Sequence, residues 1–143
     1  MWIFADNIED NLGPTKFILF YLLCGLGAAM SQVFMDTHSQ IPMIGASGAI
    51  GGVLGAYLIN HPHARVLVLI PFGFFSQLIK IRALYVLGFW FILQFINSSM
   101  IRPGEGGVAY AAHIGGFISG MVLILFFNKK RIKKTKTTKG PWG

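Results

Sequence analysis

The stretch GASGAIGGVLGAYLIN, residues 45–60, decides how this chain folds. It is apolar, carries no charge, and is built largely from small residues. Gly48 and Gly52, and Gly51 and Gly55, recur four residues apart, so each pair shares one helix face. Small residues at that spacing let helices approach backbone to backbone in a membrane. Taken alone, the stretch reads as a packing helix. It does not fit the G-x-S-x-G turn of soluble hydrolases, because Ala49 stands where the last glycine would be.

The composition around it says membrane. Of 143 residues, 54% are hydrophobic, 18 are glycine and only 12% are charged, with a mean hydropathy of +0.62. Soluble domains carry about 25% charged residues, so an ordinary soluble domain and a disordered chain are excluded. One cysteine, Cys24, excludes an internal disulfide. Spans of ~20 residues each leave room for about four, and six would hardly fit. They are expected at 17–35, 44–60, 83–98 and 111–127, giving an all-α, polytopic membrane helix bundle.

The connections are more polar or broken. Residues 1–13 hold Asp6, Glu9 and Asp10 and end at Gly13-Pro14. A polar stretch runs from Asp36 to Pro42, and 61–65 is a turn around Pro62. Residues 66–78 are apolar but interrupted by Pro71 and Gly73, and too short for a span. They are expected to form an interfacial or re-entrant segment. The Gly-rich segment 99–110 reads as a mobile loop and a candidate substrate gate.

Seven of the twelve basic residues fall in the last fifteen positions, from Lys129 to Lys139. The domain division is therefore a membrane domain over 1–127 and a basic tail over 128–143. A basic tail can bind nucleic acid, but this one directly follows the apolar run ending at Phe127. It reads as a cytoplasmic anchor on anionic lipid headgroups, with no nucleic acid partner. With the tail inside, Lys16, Arg65, Lys80 and Arg82 join it and Arg102 alone lies outside. Both termini are then cytoplasmic. Met1-Trp2-Ile3-Phe4 shows no signal-peptide pattern, and a bacterial inner membrane is the expected location.

Polar groups inside spans are functional suspects. Ser47 opens the second span, and His113 opens the fourth within AAHIGGFISG, residues 111–120. A lone histidine there is a ligand, a proton relay or a satisfied core residue. Metal binding is poorly supported, because no second ligand lies at a suitable spacing, and no cofactor is expected. The two spans run in the same direction, so Ser47 and His113 lie at a similar depth. Gly51 and Gly55 continue the Ser47 face, and Gly116 and Gly120 continue the His113 face. Glycine faces can bring hydroxyl and imidazole within reach, the usual means of activating a serine. Together these features favour catalysis by a Ser–His dyad. The backbone N–H of Ser47, near a helix N-terminus, is a candidate oxyanion donor.

These residues resemble the rhomboid intramembrane serine proteases. The resemblance runs through residues 2–10 and 20–25, Gly45-Ala46-Ser47-Gly48-Ala49-Ile50, residues 61–66 and Ala112-His113-Ile114-Gly115-Gly116. It implies Ser47 as nucleophile, His113 as general base, and Gly45, Gly48, Gly51, Gly55, Gly116 and Gly120 packing the helices around them. It implies transmembrane protein substrates cut near the outer membrane surface. The family core has six spans, and this chain resembles the last four, as an N-terminally truncated member would. The histidine and asparagine that help bind the oxyanion in the family have no counterpart here. Gly51 stands where some members place an aromatic residue against the histidine. The alternative reading is a non-catalytic rhomboid-like protein, or inactive fragment, that binds transmembrane clients. A small transporter or channel would explain the packing but neither the Ser–His level match nor the family pattern.

Overall fold

The computed structural model describes residues 2–38, 45–73, 75–100 and 109–128. In chain order they form helices α1 (Trp2–Leu12), α2 (Pro14–Met35) and α3 (Ser47–Asn60), strands β1 (Arg65–Phe72) and β2 (Phe75–Arg82), and helices α4 (Ala83–Met100) and α5 (Tyr110–Asn128). The basic tail beyond Asn128, most of the Gly-rich loop and part of the 36–42 stretch lie outside the described residues.

Helix α1 places Ala5, Ile8 and Leu12 on one buried stripe and leaves Asp6 and Asp10 exposed. It was not expected from the sequence, because three carboxylates in eleven residues obscure so short an apolar stripe. The chain then breaks at Gly13, whose φ of +81° suits glycine. Pro14 restarts it at a first-turn position, where its missing N–H leaves no hydrogen bond unmade.

Helices α2, α4 and α5 have 22, 18 and 19 residues and are apolar enough to cross a membrane. At 1.5 Å per residue they reach about 27–33 Å, matching a hydrocarbon core of about 30 Å. Their outward side chains, Ile18, Leu22, Leu26 and Val33 on α2 among them, are exposed apolar groups suited to lipid. Helix α3 differs. Its 14 residues reach only about 21 Å. Eight of them, Gly48, Ala49, Gly51, Gly52, Val53, Gly55, Ala56 and Tyr57, are buried, because α1, α2, α4 and α5 all pack against it.

The core lies at the end of the bundle where α3 finishes. Phe20, Cys24, Val53, Ala56, Ile124 and Leu87 meet Ile8 and Leu12 of α1 there. Phe4 packs edge-on against Tyr57 at 4.9 Å, and the Asn11 amide donates to His61 Nε2 at 3.2 Å. His61 thereby ties α1 to the end of α3.

Residues 65–82, which contain the expected interfacial or re-entrant segment, form an antiparallel hairpin. Its register runs from Arg65 opposite Arg82 to Phe72 opposite Phe75. Pro71 and Gly73 prevent a helix, and Gly73, at φ +55°, serves the tight turn. The β2 strand runs into α4 without a linker, and the Ala83 N–H donates to the Ala64 carbonyl at 2.7 Å.

Candidate active site

The site is built on two seams of small residues. Helices α3 and α5 run parallel, and their contacts step down both helices together. A Cβ at Gly48 would meet the Ala112 carbonyl oxygen at 3.2 Å, at Gly51 the His113 carbonyl at 3.0 Å, and at Gly52 the Gly116 carbonyl at 3.0 Å. From the other side, a Cβ at Gly116 would overlap the Gly48 carbonyl, and one at Gly120 the Gly52 carbonyl. A Cβ at Gly55 would overlap the Phe117 carbonyl. Only glycine permits backbones this close. At the far end the Asn128 amide donates to Asn60 Oδ1 at 2.7 Å, closing the same register.

Helix α2 runs antiparallel beside this pair. Ser31 occupies the gap over Gly115, and Ser119 the gap over Gly27. The Ser31 hydroxyl donates to its own helix at Gly27 O, 3.0 Å, so it enters the seam already satisfied. Gln32 Oε1 accepts the Ala112 N–H at 3.3 Å, one of the first-turn donors that α5 leaves without a helical partner.

Gly45, expected among the packing glycines, stands apart from the seams. It lies before α3, is exposed, and takes a φ of +116°. Among the described residues, a Cβ there would meet nothing nearer than Ser47 Oγ at 4.0 Å. Among the described residues its glycine serves the backbone conformation leading into α3 rather than helix packing.

Ser47 is the first residue of α3 and is exposed. Ala46 before it offers no side-chain acceptor, so the first N–H groups of α3 have no side-chain cap. One residue on, Gly48 packs against Ala28 of α2, seven residues short of the end of α2 at Met35. Ser47 therefore sits about 10 Å below that end of the bundle.

His113 sits in the first turn of α5, half-buried, and its backbone lines the Gly51 face. Its Nδ1 lies 2.8 Å from Oε1 of Gln94 on α4. The Gln94 amide nitrogen donates to the Trp90 carbonyl at 3.2 Å, which leaves Oε1 for the imidazole. Nδ1 is therefore the donor of this bond, and in the neutral imidazole Nε2 is left as an acceptor. Trp90 lies 5.9 Å from the imidazole, tilted by 33°, and Tyr110 meets it edge-on at 6.2 Å. These rings surround the histidine although Gly51 carries none. Among the described residues, no hydrogen bond joins Ser47 Oγ to His113.

Gln94 was not singled out from the sequence. It is 7% exposed, the one buried polar side chain among the described residues. The signal available was an amide in the middle of an otherwise apolar span, which calls for a partner in a membrane.

A family profile described as the Rhomboid domain matches residues 1–130. Rhomboid protein 1, mitochondrial, of Saccharomyces cerevisiae is 26% identical over 143 residues, covering 95% of this chain and 38% of that protein. Rhomboid protease GluP of Bacillus subtilis is 35% identical, over 84% of this chain and 20% of its own length. Rhomboid protease AarA of Providencia stuartii is 27% identical, over 89% and 48% respectively. The chain thus spans less than half the length of these relatives. No solved structure gives a significant match. With its helices, its seams and residues 1–130 all within that profile, this chain is an integral membrane protein of the rhomboid family.

Proposed function

We propose that this chain carries the Ser–His centre of an intramembrane serine endopeptidase whose substrates are membrane-anchored proteins. The observation that carries the reading is the Gln94–His113 hydrogen bond, set at the level of Ser47 by the parallel glycine seam. A histidine held through Nδ1 presents Nε2 as a base, as the third member of a serine–histidine triad arranges. Here a neutral amide takes the orienting place that a carboxylate usually fills.

In this reading Nε2 of His113 takes the Ser47 hydroxyl proton as Oγ attacks the scissile carbonyl. The uncapped N–H of Ser47 faces the developing oxyanion. The intermediate collapses, the peptide C–N bond breaks, and His113 returns the proton to the leaving amine. Water then attacks the acyl-serine, with His113 again as base, and frees the acid and Ser47. Exposure of Ser47, about 10 Å below the end of the bundle, supports access for both water and a transmembrane segment.

The basic asymmetry supports an orientation with both termini cytoplasmic, in a bacterial inner membrane, with the tail 128–143 on anionic headgroups outside the membrane domain. A non-catalytic reading is favoured by one observation, the lack of a Ser47–His113 hydrogen bond. Such bonds are often loose before substrate binds. Cleavage of a membrane-anchored reporter by the protein in its native membrane separates the two. Activity abolished by Ser47→Ala and by His113→Ala supports the protease. Cleavage unchanged in either variant rejects this dyad.

A further inference from the structure

The β1–β2 hairpin belongs to no part of the site above. Its register places Arg65, Leu67, Leu69, Leu78, Lys80 and Arg82 on one face, with Arg65 directly opposite Arg82 and Leu67 opposite Lys80. The three cations thus cluster at the base and the leucines lie beyond them. All six are exposed, with Leu67 at 54%, Leu69 at 58% and Leu78 at 60%. The base of the other face is closed, because Val66 is buried against the bundle core.

Two features of this face are costly unless something covers it. Like charges directly opposite each other in a sheet repel, and residues 37–104 contain no carboxylate. Asp6, Glu9 and Asp10 of α1 stand at the same end of the bundle. Among the described residues none of them pairs with Arg65, Lys80 or Arg82. Arg82 also precedes the N-terminus of α4, where the helix dipole disfavours a cation.

Its surroundings are constrained from both sides. Among the described residues the two-stranded hairpin has two open edges, whose unpaired backbone groups exclude it from the hydrocarbon core. Its leucines disfavour water, and isolated hairpins are marginal there. The zone between, where headgroup phosphates meet the first acyl carbons, satisfies edges, leucines and cations together. The hairpin already stands at that level, because β2 continues directly into the membrane-spanning helix α4.

We propose that the hairpin is a second membrane-contact surface, with Arg65, Lys80 and Arg82 binding anionic lipid phosphates and Leu67, Leu69 and Leu78 seated among the adjoining acyl chains. It is independent of the proposed catalysis and lies at the opposite end of α3 from Ser47.

The test places a bimane fluorophore at Leu69→Cys, Leu78→Cys or Gln77→Cys, each in a Cys24→Ala background. The protein is reconstituted in phosphatidylcholine vesicles with or without a minority of phosphatidylglycerol. Doxyl-labelled lipid should quench positions 69 and 78 several-fold more than 77, which lies on the other face, and phosphatidylglycerol should strengthen that quenching. The combined Arg65→Gln, Lys80→Gln and Arg82→Gln variant should lose the dependence on phosphatidylglycerol. Aqueous iodide quenching 69 and 78 as strongly as 77 would overturn the proposal, as would lipid quenching in the parent that ignores phosphatidylglycerol. Shielding from iodide found only in native membranes would also overturn it, since a protein strand would then cover the face.

Discussion

The seam between α3 and α5 and the contact between α4 and α5 hold the same histidine by opposite means. The first is made of glycine against backbone, at Gly48, Gly51, Gly52, Gly55, Gly116 and Gly120. The second is made of large side chains: Phe91 stacks on Phe117 at 4.7 Å, Trp90 lies beside His113, and the Gln94 amide meets its imidazole. The seam leaves no freedom, because every added atom meets a carbonyl. The α4 contact depends on rotamers and one hydrogen bond. One sets the level at which Ser47 and His113 stand, and the other sets the direction in which the imidazole points.

The largest effect should come from breaking the seam. Gly116→Leu drives a Cβ into the Gly48 carbonyl, where backbone must move. We expect a loss of about 1–3 kcal/mol, read as the midpoint of unfolding in mixed detergent micelles. The same substitution at Gly88 of α4, whose Cβ position meets nothing within 4 Å among the described residues, should have little effect. Equal losses at both positions would show that the seam has no special status.

The α4 contact should break more gently and more chemically. Gln94→Leu keeps the volume and removes the Nδ1 partner. It should slow acylation of Ser47 about 100-fold, the scale of a misplaced catalytic group, while the unfolding midpoint moves far less than for Gly116→Leu. The smallest effect should be at the foot of the seam. Double-mutant cycles for interhelical hydrogen bonds in a membrane average about 0.6 kcal/mol. Replacing Asn60 and Asn128 by alanine, singly and together, should give a coupling of that size.

The seam was legible in the sequence because spacing alone encodes it: glycines four apart on two spans of equal sense define matching faces. The positions of Ser47 and His113 in the first turns of those two helices were legible for the same reason, whereas their chemical roles are proposals. Gln94 was not legible, because which way the face of α4 turns depends on packing against α5 rather than on any repeat in α4 itself. The hairpin was missed because its apolar residues lack a helix or strand period until Gly73 is recognised as a turn. Helix α3 also came out shorter than the other spans. Its packing on four sides, rather than its length, secures it.

The proposed protease depends on a rigid seam and an orienting amide acting together on Ser47 and His113. The most direct test is the rate at which a fluorophosphonate probe labels the protein in its native membrane. Labelling should be confined to Ser47, lost in Ser47→Ala and His113→Ala, and slowed about 100-fold in Gln94→Leu. Labelling that persists in Ser47→Ala, or that Gln94→Leu leaves unchanged, would contradict it.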